Sequence, residues 1–178
     1  MSRRQAAPSV RTKGRILIVD DEEAIRDSLS TLLDLEGYES QTAEDAAEGL
    51  LALHSESFDL VLLDLMLPDR SGLEVVEEIR KTDSGIPILM LTAYGSVENA
   101  VRAIKGGAND FLTKPWNNDK LLLEIEKSIW QHRLEVENTE LRDALRRTSS
   151  FANLIGKSEV MRRVFELVAQ VAKSRSTV

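Results

Sequence analysis

Cysteine is absent from this chain of 178 residues, and aromatic residues make up only 4% of it. Without thiols, neither a disulfide-bonded secreted scaffold nor a cysteine-ligated zinc site can form. No uncharged apolar run approaches the roughly 18 residues that a membrane span requires, and no apolar segment follows the N-terminal arginines as in a signal peptide. We therefore expect a cytoplasmic protein whose core is filled by leucine, isoleucine and valine.

Basic residues are outnumbered as well. The 23 lysines and arginines face 30 aspartates and glutamates, which gives a formal charge of −7. This balance argues against a nucleic-acid binder that works through a broad basic surface. The chain is longer than the commonest domain size of roughly 100–150 residues but short for two full domains. Residues 1–14 contain basic side chains and no acidic one, and we expect them to be a disordered tail.

Short apolar segments alternate with amphipathic segments over residues 15–128. The expected strands are RILIV, Tyr38–Ala43, Phe58–Asp64, Ile86–Ala93 and a short strand within Asn109–Pro115. Glycines mark the ends of two helices, at Gly37 and at Gly106-Gly107. The alternation predicts an α/β fold with a doubly wound, five-stranded parallel sheet covered on both faces.

Helical spacing identifies a set of apolar residues in the fourth helix and a set that would face the sheet in the fifth. In the fourth helix these residues are Val97, Val101 and Ile104. In the fifth helix, which begins near Asn118, they are Leu122, Ile125 and Ile129.

The fifth helix is expected to extend beyond the sheet. Leu134, Asn138, Leu141 and Leu145 have the spacing of a coiled-coil seam, flanked by charges of alternating sign. We predict a coiled-coil linker helix over residues 129–148 that ends at Thr148-Ser149-Ser150 and forms a parallel homodimer. A solvated helix extension without a partner is the alternative, because the seam is only about two heptads long.

Polar side chains follow four of the predicted strands at their carboxyl ends, where open parallel sheets form their sites. They are Asp20 and Asp21, Asp64, Thr92 and Lys114. Three carboxylates are hard oxygen ligands, and they match Mg²⁺ or Mn²⁺ rather than zinc. One divalent ion and one lysine balance their charge, so the site can admit a phosphoryl group, with an aspartate as the nucleophile.

The motifs VDD, LLDLMLPDRSG, LTA and TKP, in this order, resemble the receiver domain of two-component response regulators over roughly Arg15–Ser128. The resemblance implies a flavodoxin-like sheet with strand order 2-1-3-4-5. It also implies that Asp64 accepts a phosphoryl group from a sensor histidine kinase. The protein would then be a signalling switch, not an enzyme that turns over external substrates.

The resemblance assigns further roles to individual residues. Mg²⁺ would be held by Asp20, Asp21, Asp64 and the backbone carbonyl of Met66, with Asp21 binding directly. Thr92 and Lys114 would contact the phosphoryl oxygens, and the Lys114-Pro115 bond would be cis. Phe111 and Tyr94 are the candidates for a switch residue, although core packing alone would also explain an aromatic residue at position 111.

The C-terminal segment LIGKSEVMRRVFELVAQVAKSRSTV is similar to the opening of the central ATPase domain in sigma-54-dependent activators of the NtrC type. Residues 149–178 are therefore expected to be the start of an AAA+ domain, before its nucleotide-binding loop. Gly156-Lys157-Ser158 mimics the end of a P-loop, but Phe151 stands where the earlier glycine is required. We expect this chain neither to hydrolyse ATP nor to bind nucleic acid by itself.

Two other functions are compatible with parts of the pattern. A Mg²⁺-dependent phosphatase resembling the haloacid dehalogenase family would share the aspartyl nucleophile. Those enzymes have a second aspartate two residues after the nucleophile, where this chain has Met66. A flavin-binding domain of the flavodoxin type would need a phosphate-binding loop, and no obvious one is present.

Overall fold

A computed structural model describes residues 12–83, 85–93 and 97–157 of the protein. Most of the predicted N-terminal tail and most of the predicted start of an ATPase domain lie outside the described residues. Tyr94, one of the two switch candidates, also lies outside them. None of the helices in the described part of the chain has the length and apolar character that a membrane crossing requires.

Five strands alternate with five helices in the described residues. The strands are β1 (Arg15–Val19), β2 (Glu39–Ala43), β3 (Leu60–Asp64), β4 (Ile88–Thr92) and β5 (Asp110–Thr113). The helices are α1 (Glu23–Leu35), α2 (Ala46–Ser55), α3 (Gly72–Thr82), α4 (Val97–Gly106) and α5 (Asn118–Lys157). All strand pairs are parallel, and the order is β2-β1-β3-β4-β5. The predicted fold class and strand order are confirmed.

Apolar clusters cover both faces of the sheet. Alternate residues of β1 divide between them, since Leu17 and Val19 belong to one cluster and Ile16 and Ile18 to the other. All residues of β3 and β4 are buried. Burial on both faces explains why these strands are continuous apolar runs without alternation. Polar side chains of the central strands are therefore found at the strand ends.

Two predicted helix ends are confirmed by glycine conformations. Gly37 follows α1 with a φ of 84°, and Gly107 follows α4 with a φ of 108°. Glycine adopts this left-handed region without the steric cost that a Cβ atom would bring.

Two of the apolar residues whose spacing predicted α4 are not the residues that it buries. Val101 and Ile104 are 45% and 48% exposed, whereas Ala103 is fully buried. The side chain of Val97 lies outside the described part of the chain. The helix thus packs through a small side chain, which permits close approach to its neighbours, and two branched side chains remain in solvent.

The core face of α5 is partly as predicted. Ile125 and Ile129 are buried, but the third core residue is Leu121, which is fully buried, and Leu122 is only half-buried. Adjacent residues of a helix point about 100° apart, so an apolar pair leaves the choice between them open.

α5 also continues through Thr148-Ser149-Ser150 and ends at Lys157, so the helix end predicted at those residues is wrong. Serine and threonine are weaker helix formers than alanine by only about 0.5 kcal/mol each, far less than proline. The domain boundary near residue 148 stays a prediction. The described residues divide into one compact unit that ends at His132 and another that begins at Arg133.

Candidate functional site

Three aspartates meet at the carboxyl ends of β1 and β3. One carboxylate oxygen each from Asp20, Asp21 and Asp64 lies within 4.8 Å of the other two. They come together because β1 and β3 are parallel neighbours whose ends share one edge of the sheet. Asp20 and Asp64 are buried and Asp21 is exposed. The site thus offers three carboxylate oxygens and is accessible to solvent at Asp21. Such a set of oxygen donors fits Mg²⁺ or Mn²⁺.

Backbone and side-chain contacts hold Asp20 in place. Its Oδ1 accepts a hydrogen bond from the Glu22 amide at 3.0 Å, and its carbonyl accepts one from Arg26 Nη1 at 2.6 Å. Its own amide donates to the Ala43 carbonyl at 3.2 Å. The sequence analysis did not find Arg26. Its position in the first turn of the helix after VDD was the only available signal.

Lys114 extends across the site from the end of β5. Its Nζ lies 2.6 Å from Asp20 Oδ2 and 3.6 Å from Asp64 Oδ1, with Glu22 Oε1 at 3.4 Å. Burial alone would lower the pKa of Lys114, but the hydrogen bond to Asp20 and the neighbouring carboxylates outweigh it and raise that pKa. The lysine therefore carries its charge at neutral pH. The Lys114-Pro115 bond is cis, as the resemblance implied.

Asp64 is an unusual carboxylate because it is buried among other charges. Burial is the main cause that raises its pKa from 3.8 to about 6, and the charges of Asp20 and Asp21 add to the effect. The charge of Lys114 and the hydrogen bond from the Leu65 amide, 2.9 Å long, oppose it. Positive charge beside Asp64 favours its ionised form, so the residues present fit a cation at this position.

Thr92 lies at the same edge of the sheet as the aspartates, whereas Phe111 lies two residues before the end of β5. Thr92 ends β4 and is fully buried, and its carbonyl accepts a hydrogen bond from the Lys114 amide at 2.7 Å. Phe111 is half-buried, pairs in register with Met90 and packs against an apolar cluster. The environment of Phe111 is that of a core residue close to the surface.

The loop between β3 and α3 carries Met66 and leads to Gly72, the first residue of α3. The Met66 side chain is 58% exposed, so it is not needed for packing. A Cβ atom on Gly72 would lie only 2.2 Å from the Asp64 carbonyl oxygen. Only glycine therefore lets α3 begin this close to the backbone of Asp64.

A cleft of about 440 Å³ borders the Lys114 side of the site. Its lining residues are Glu22, Ile25, Ser28, Ala93, Lys114, Pro115 and Trp116. The lining combines apolar side chains with the charged groups of Glu22 and Lys114, and the volume is large enough for an external group beside Lys114.

Comparison with known proteins extends the resemblance beyond single motifs. The transcriptional regulatory protein YkoG of Bacillus subtilis is 44% identical over 126 residues, which cover 71% of this chain and 55% of YkoG. The DNA-binding transcriptional regulator NtrC of Proteus hauseri is 31% identical over 166 residues, which cover 93% of this chain and 34% of that protein. The chain thus spans about half of one relative and a third of the other. The predicted resemblance to NtrC-type regulators is confirmed.

A solved structure and a family model agree with these relatives. The crystal structure of a CheY-like response regulator receiver domain from Methanospirillum hungatei JF-1 has a TM-score of 0.66 and 41% identity, covering 68% of this chain and 97% of that one. The family model of the response regulator receiver domain matches residues 16–126. This match covers more than half of the chain and includes every strand of the sheet that carries the three aspartates, and the chain therefore belongs to the response regulator receiver domain family.

Proposed function

We propose that this protein is cytoplasmic and that Asp64 accepts a phosphoryl group from a sensor histidine kinase. Phosphorylation would then change the arrangement of a dimer that controls a sigma-54-dependent transcription activator. One observation carries the proposal: the buried Asp64 carboxylate lies within reach of two further aspartates and 3.6 Å from a lysine. Burial and the two neighbouring aspartates favour the protonated form of Asp64, whereas the charge of Lys114 favours the ionised form that can act as a nucleophile.

The transfer exchanges one bond to phosphorus for another. A carboxylate oxygen of Asp64 attacks the phosphorus atom of a phosphohistidine, the P–N bond breaks, and the imidazole leaves with its electron pair. Asp20, Asp21, Asp64 and the Met66 carbonyl would hold Mg²⁺, which supplies charge to neutralise the phosphoryl oxygens. Lys114 provides a second positive charge, and Thr92 provides a hydroxyl donor to the same oxygens.

The same contacts suggest how phosphorylation is transmitted. A phosphoryl group adds about −1.5 to −2 charges and new acceptor oxygens, which attract the Thr92 hydroxyl and Lys114 Nζ. The amide of Lys114 is bonded to the carbonyl of Thr92, so a shift at the end of β4 is shared with β5. Phe111, half-buried on β5, is the candidate that would report this shift, and Tyr94 stays a second prediction.

Labelling by a small phosphodonor tests the acceptor. Wild-type protein with acetyl phosphate and Mg²⁺ should gain one phosphoryl group by intact mass, and Asp64→Asn should gain none. Asp59→Asn is the matched control, because Asp59 lies at the other end of the same strand and contacts the Arg15 amide. Undiminished labelling of Asp64→Asn would exclude Asp64 as the acceptor.

A second assay separates this switch from a phosphatase. The position two residues after Asp64 is occupied by Met66, which has no proton to donate to a leaving group. Steady turnover of p-nitrophenyl phosphate should therefore be absent. Turnover that disappears in Asp64→Asn would favour the phosphatase instead.

The dimer is proposed from the unit that begins at Arg133. Leu134, Leu141 and Leu145 are 42%, 59% and 69% exposed in the single chain, and they have coiled-coil spacing around Asn138. We expect the full chain to be dimeric by light scattering and its dimer arrangement to change with beryllofluoride. A version truncated before Gln131 should be largely monomeric. A fully dimeric truncated protein would contradict the coiled-coil interface.

A further inference from the structure

Asp69 connects the β3–α3 loop to a different helix. Its Oδ1 accepts a hydrogen bond from the Ala46 amide and its Oδ2 accepts one from the Ala47 amide, both at 3.1 Å. These are the first two amides of α2, and they lie more than 20 residues earlier in the sequence. Asp69 Oδ1 also accepts the Arg70 amide at 3.0 Å. The carboxylate therefore spans two segments of the chain with at least three backbone donors.

α2 already has a local cap of its own. Asp45 accepts the Glu48 amide at 2.8 Å, and the Glu48 carboxylate accepts the Glu44 amide at 2.9 Å. Within the first turn this local cap reaches only the Glu48 amide, because Glu44 precedes the helix. Asp69 therefore accepts the first two amides of α2 and, through the same bonds, joins the start of this helix to the β3–α3 loop.

The chain just before α2 also holds the other loop of the aspartate site. The Ala43 carbonyl accepts the Asp20 amide at 3.2 Å, three residues before Ala46, the first residue that Asp69 contacts. Both loops that carry the aspartates and Met66 are thus fastened to residues 43–47. A displacement of one loop relative to the other would break at least one of these attachments.

The far side of the β3–α3 loop is attached to α3. Arg70 Nη1 contacts Glu78 Oε2 at 2.7 Å, Met66 forms an isolated antiparallel bridge with Ser71, and the Gly72 amide donates to the Leu65 carbonyl at 2.8 Å. Asp69 provides the attachment on the side of α2. Leu65 and Leu67 are in addition buried in the apolar cluster on one face of the sheet, so Asp69 adds a polar attachment at the point where the loop contacts α2.

We propose that Asp69 is a positioning residue for the metal site, which holds the β3–α3 loop so that the Met66 carbonyl is ordered before a divalent ion binds. This proposal rests on the proposed function, since it takes Met66 as a ligand. Ordering a loop costs conformational entropy, and a loop that is already ordered leaves more of the binding energy available as affinity. Asp69 is suited to this role because the hydrogen bonds from the backbone lower its pKa, although partial desolvation opposes them, and so it stays ionised.

Metal affinity tests the proposal without any phosphoryl transfer. Mn²⁺ binding to the full chain is measured from the electron paramagnetic resonance signal of the free ion, for wild type, Asp69→Ala and Asp69→Asn. We expect Asp69→Ala to raise the Kd about tenfold, in the range of outer residues that support a metal ligand. Asp69→Asn should raise it less, because one oxygen still accepts. Circular dichroism confirms that each variant is folded.

Asp83→Ala is the matched control for a general loss of stability. Asp83 Oδ1 accepts two loop amides, from Gly85 at 2.8 Å and Ile86 at 3.0 Å, before β4 begins. It should lower the Tm about as much as Asp69→Ala and leave the Kd for Mn²⁺ unchanged. An unchanged Kd in Asp69→Ala, or an equal rise in Asp83→Ala, would overturn this proposal alone. If Asp21→Ala binds Mn²⁺ with the same Kd as wild type, the proposed metal site itself would instead be overturned.

Discussion

Lys114 is bonded to Asp20, with 2.6 Å between Nζ and Oδ2, and the two side chains are only 9% and 1% exposed. Asp64 is the more distant partner of the same lysine. The pair therefore neutralises one of the three carboxylates fully and Asp64 only in part, which agrees with the raised pKa of Asp64. The lysine thus contacts two of the three carboxylates that would hold a divalent ion.

Removal of this lysine charge should strengthen metal binding while it weakens phosphoryl transfer. In Lys114→Met, the repulsion between Nζ and a divalent ion a few ångströms away is gone, and we expect the Kd for Mn²⁺ to fall about tenfold at pH 8.5. Labelling by acetyl phosphate should slow because a phosphoryl contact is lost. Lys127→Met, which removes an exposed lysine paired with Glu124 on α5, should change neither. Weaker Mn²⁺ binding in Lys114→Met would contradict the expected repulsion between Lys114 and the ion.

Asp64 should destabilise the metal-free protein at neutral pH. Burial raises the pKa of Asp64 from its ordinary value of 3.8 to about 6 in the folded protein, so the folded state binds the proton more tightly. Proton binding to Asp64 stabilises the folded state fully at a pH below 3.8. This stabilisation is lost as the pH rises through about 6. Asp64→Asn should therefore raise the free energy of unfolding by about 2–3 kcal/mol at pH 7.5, and by little at pH 4. Urea denaturation in chelator measures both.

Two controls accompany this pH experiment. Excess Mg²⁺ should stabilise wild type and leave Asp64→Asn nearly unchanged, because a ligand stabilises only the state that binds it. Asp59→Asn, at the opposite end of β3, should show no gain at pH 7.5. Equal free energies of unfolding for Asp64→Asn and wild type at pH 7.5 would show that ionisation of Asp64 does not destabilise the folded protein.

The strands and the rim residues could be predicted because both have local signals. β3 and β4 are buried on both faces, so each is an uninterrupted apolar run, and chain direction places Asp64 and Thr92 at the same edge. Asp69 has no such signal. Its partners, Ala46 and Ala47, are remote in sequence, and an aspartate in a loop predicts only a turn.

The face of α4 could not be predicted for a different reason. Apolar periodicity identifies an amphipathic helix but does not show which apolar residues the rest of the chain covers. Ala103 is fully buried and Ile104 half exposed, although isoleucine is the more hydrophobic of the two. Close packing against neighbouring elements determined the orientation of the helix, and that depends on tertiary contacts.

Substitutions in α4 test this orientation. Ile104→Ser should change the free energy of unfolding by less than about 0.5 kcal/mol, as expected at an exposed position. Ala103→Leu should lower it by about 1–3 kcal/mol, because a closely packed site cannot accept three more carbon atoms. A large decrease in the free energy of unfolding for Ile104→Ser, together with little change for Ala103→Leu, would show that Ile104 is on the buried face of α4 and Ala103 on the exposed one.

Gly72 provides the strictest steric test near the site. In Gly72→Ala, a Cβ atom would lie 2.2 Å from the backbone oxygen of Asp64, and a backbone atom cannot move aside as a flexible side chain can. We expect the free energy of unfolding to fall by about 2–4 kcal/mol. Acetyl phosphate labelling of the protein that remains folded should slow, because the clash displaces the residue that carries the acceptor carboxylate.

Gly106→Ala is the matched substitution. Gly106 is the last residue of α4, its φ is not in the left-handed region, and a Cβ atom there would meet nothing within 4 Å. Alanine restricts the unfolded chain and favours the helix, so stability should rise by about 0.4–1 kcal/mol. The two variants differ in sign because alanine has free space at position 106 and meets a backbone oxygen at position 72. A stable Gly72→Ala protein with normal labelling would show that α3 can begin farther from Asp64, and that the close approach is not required by the site.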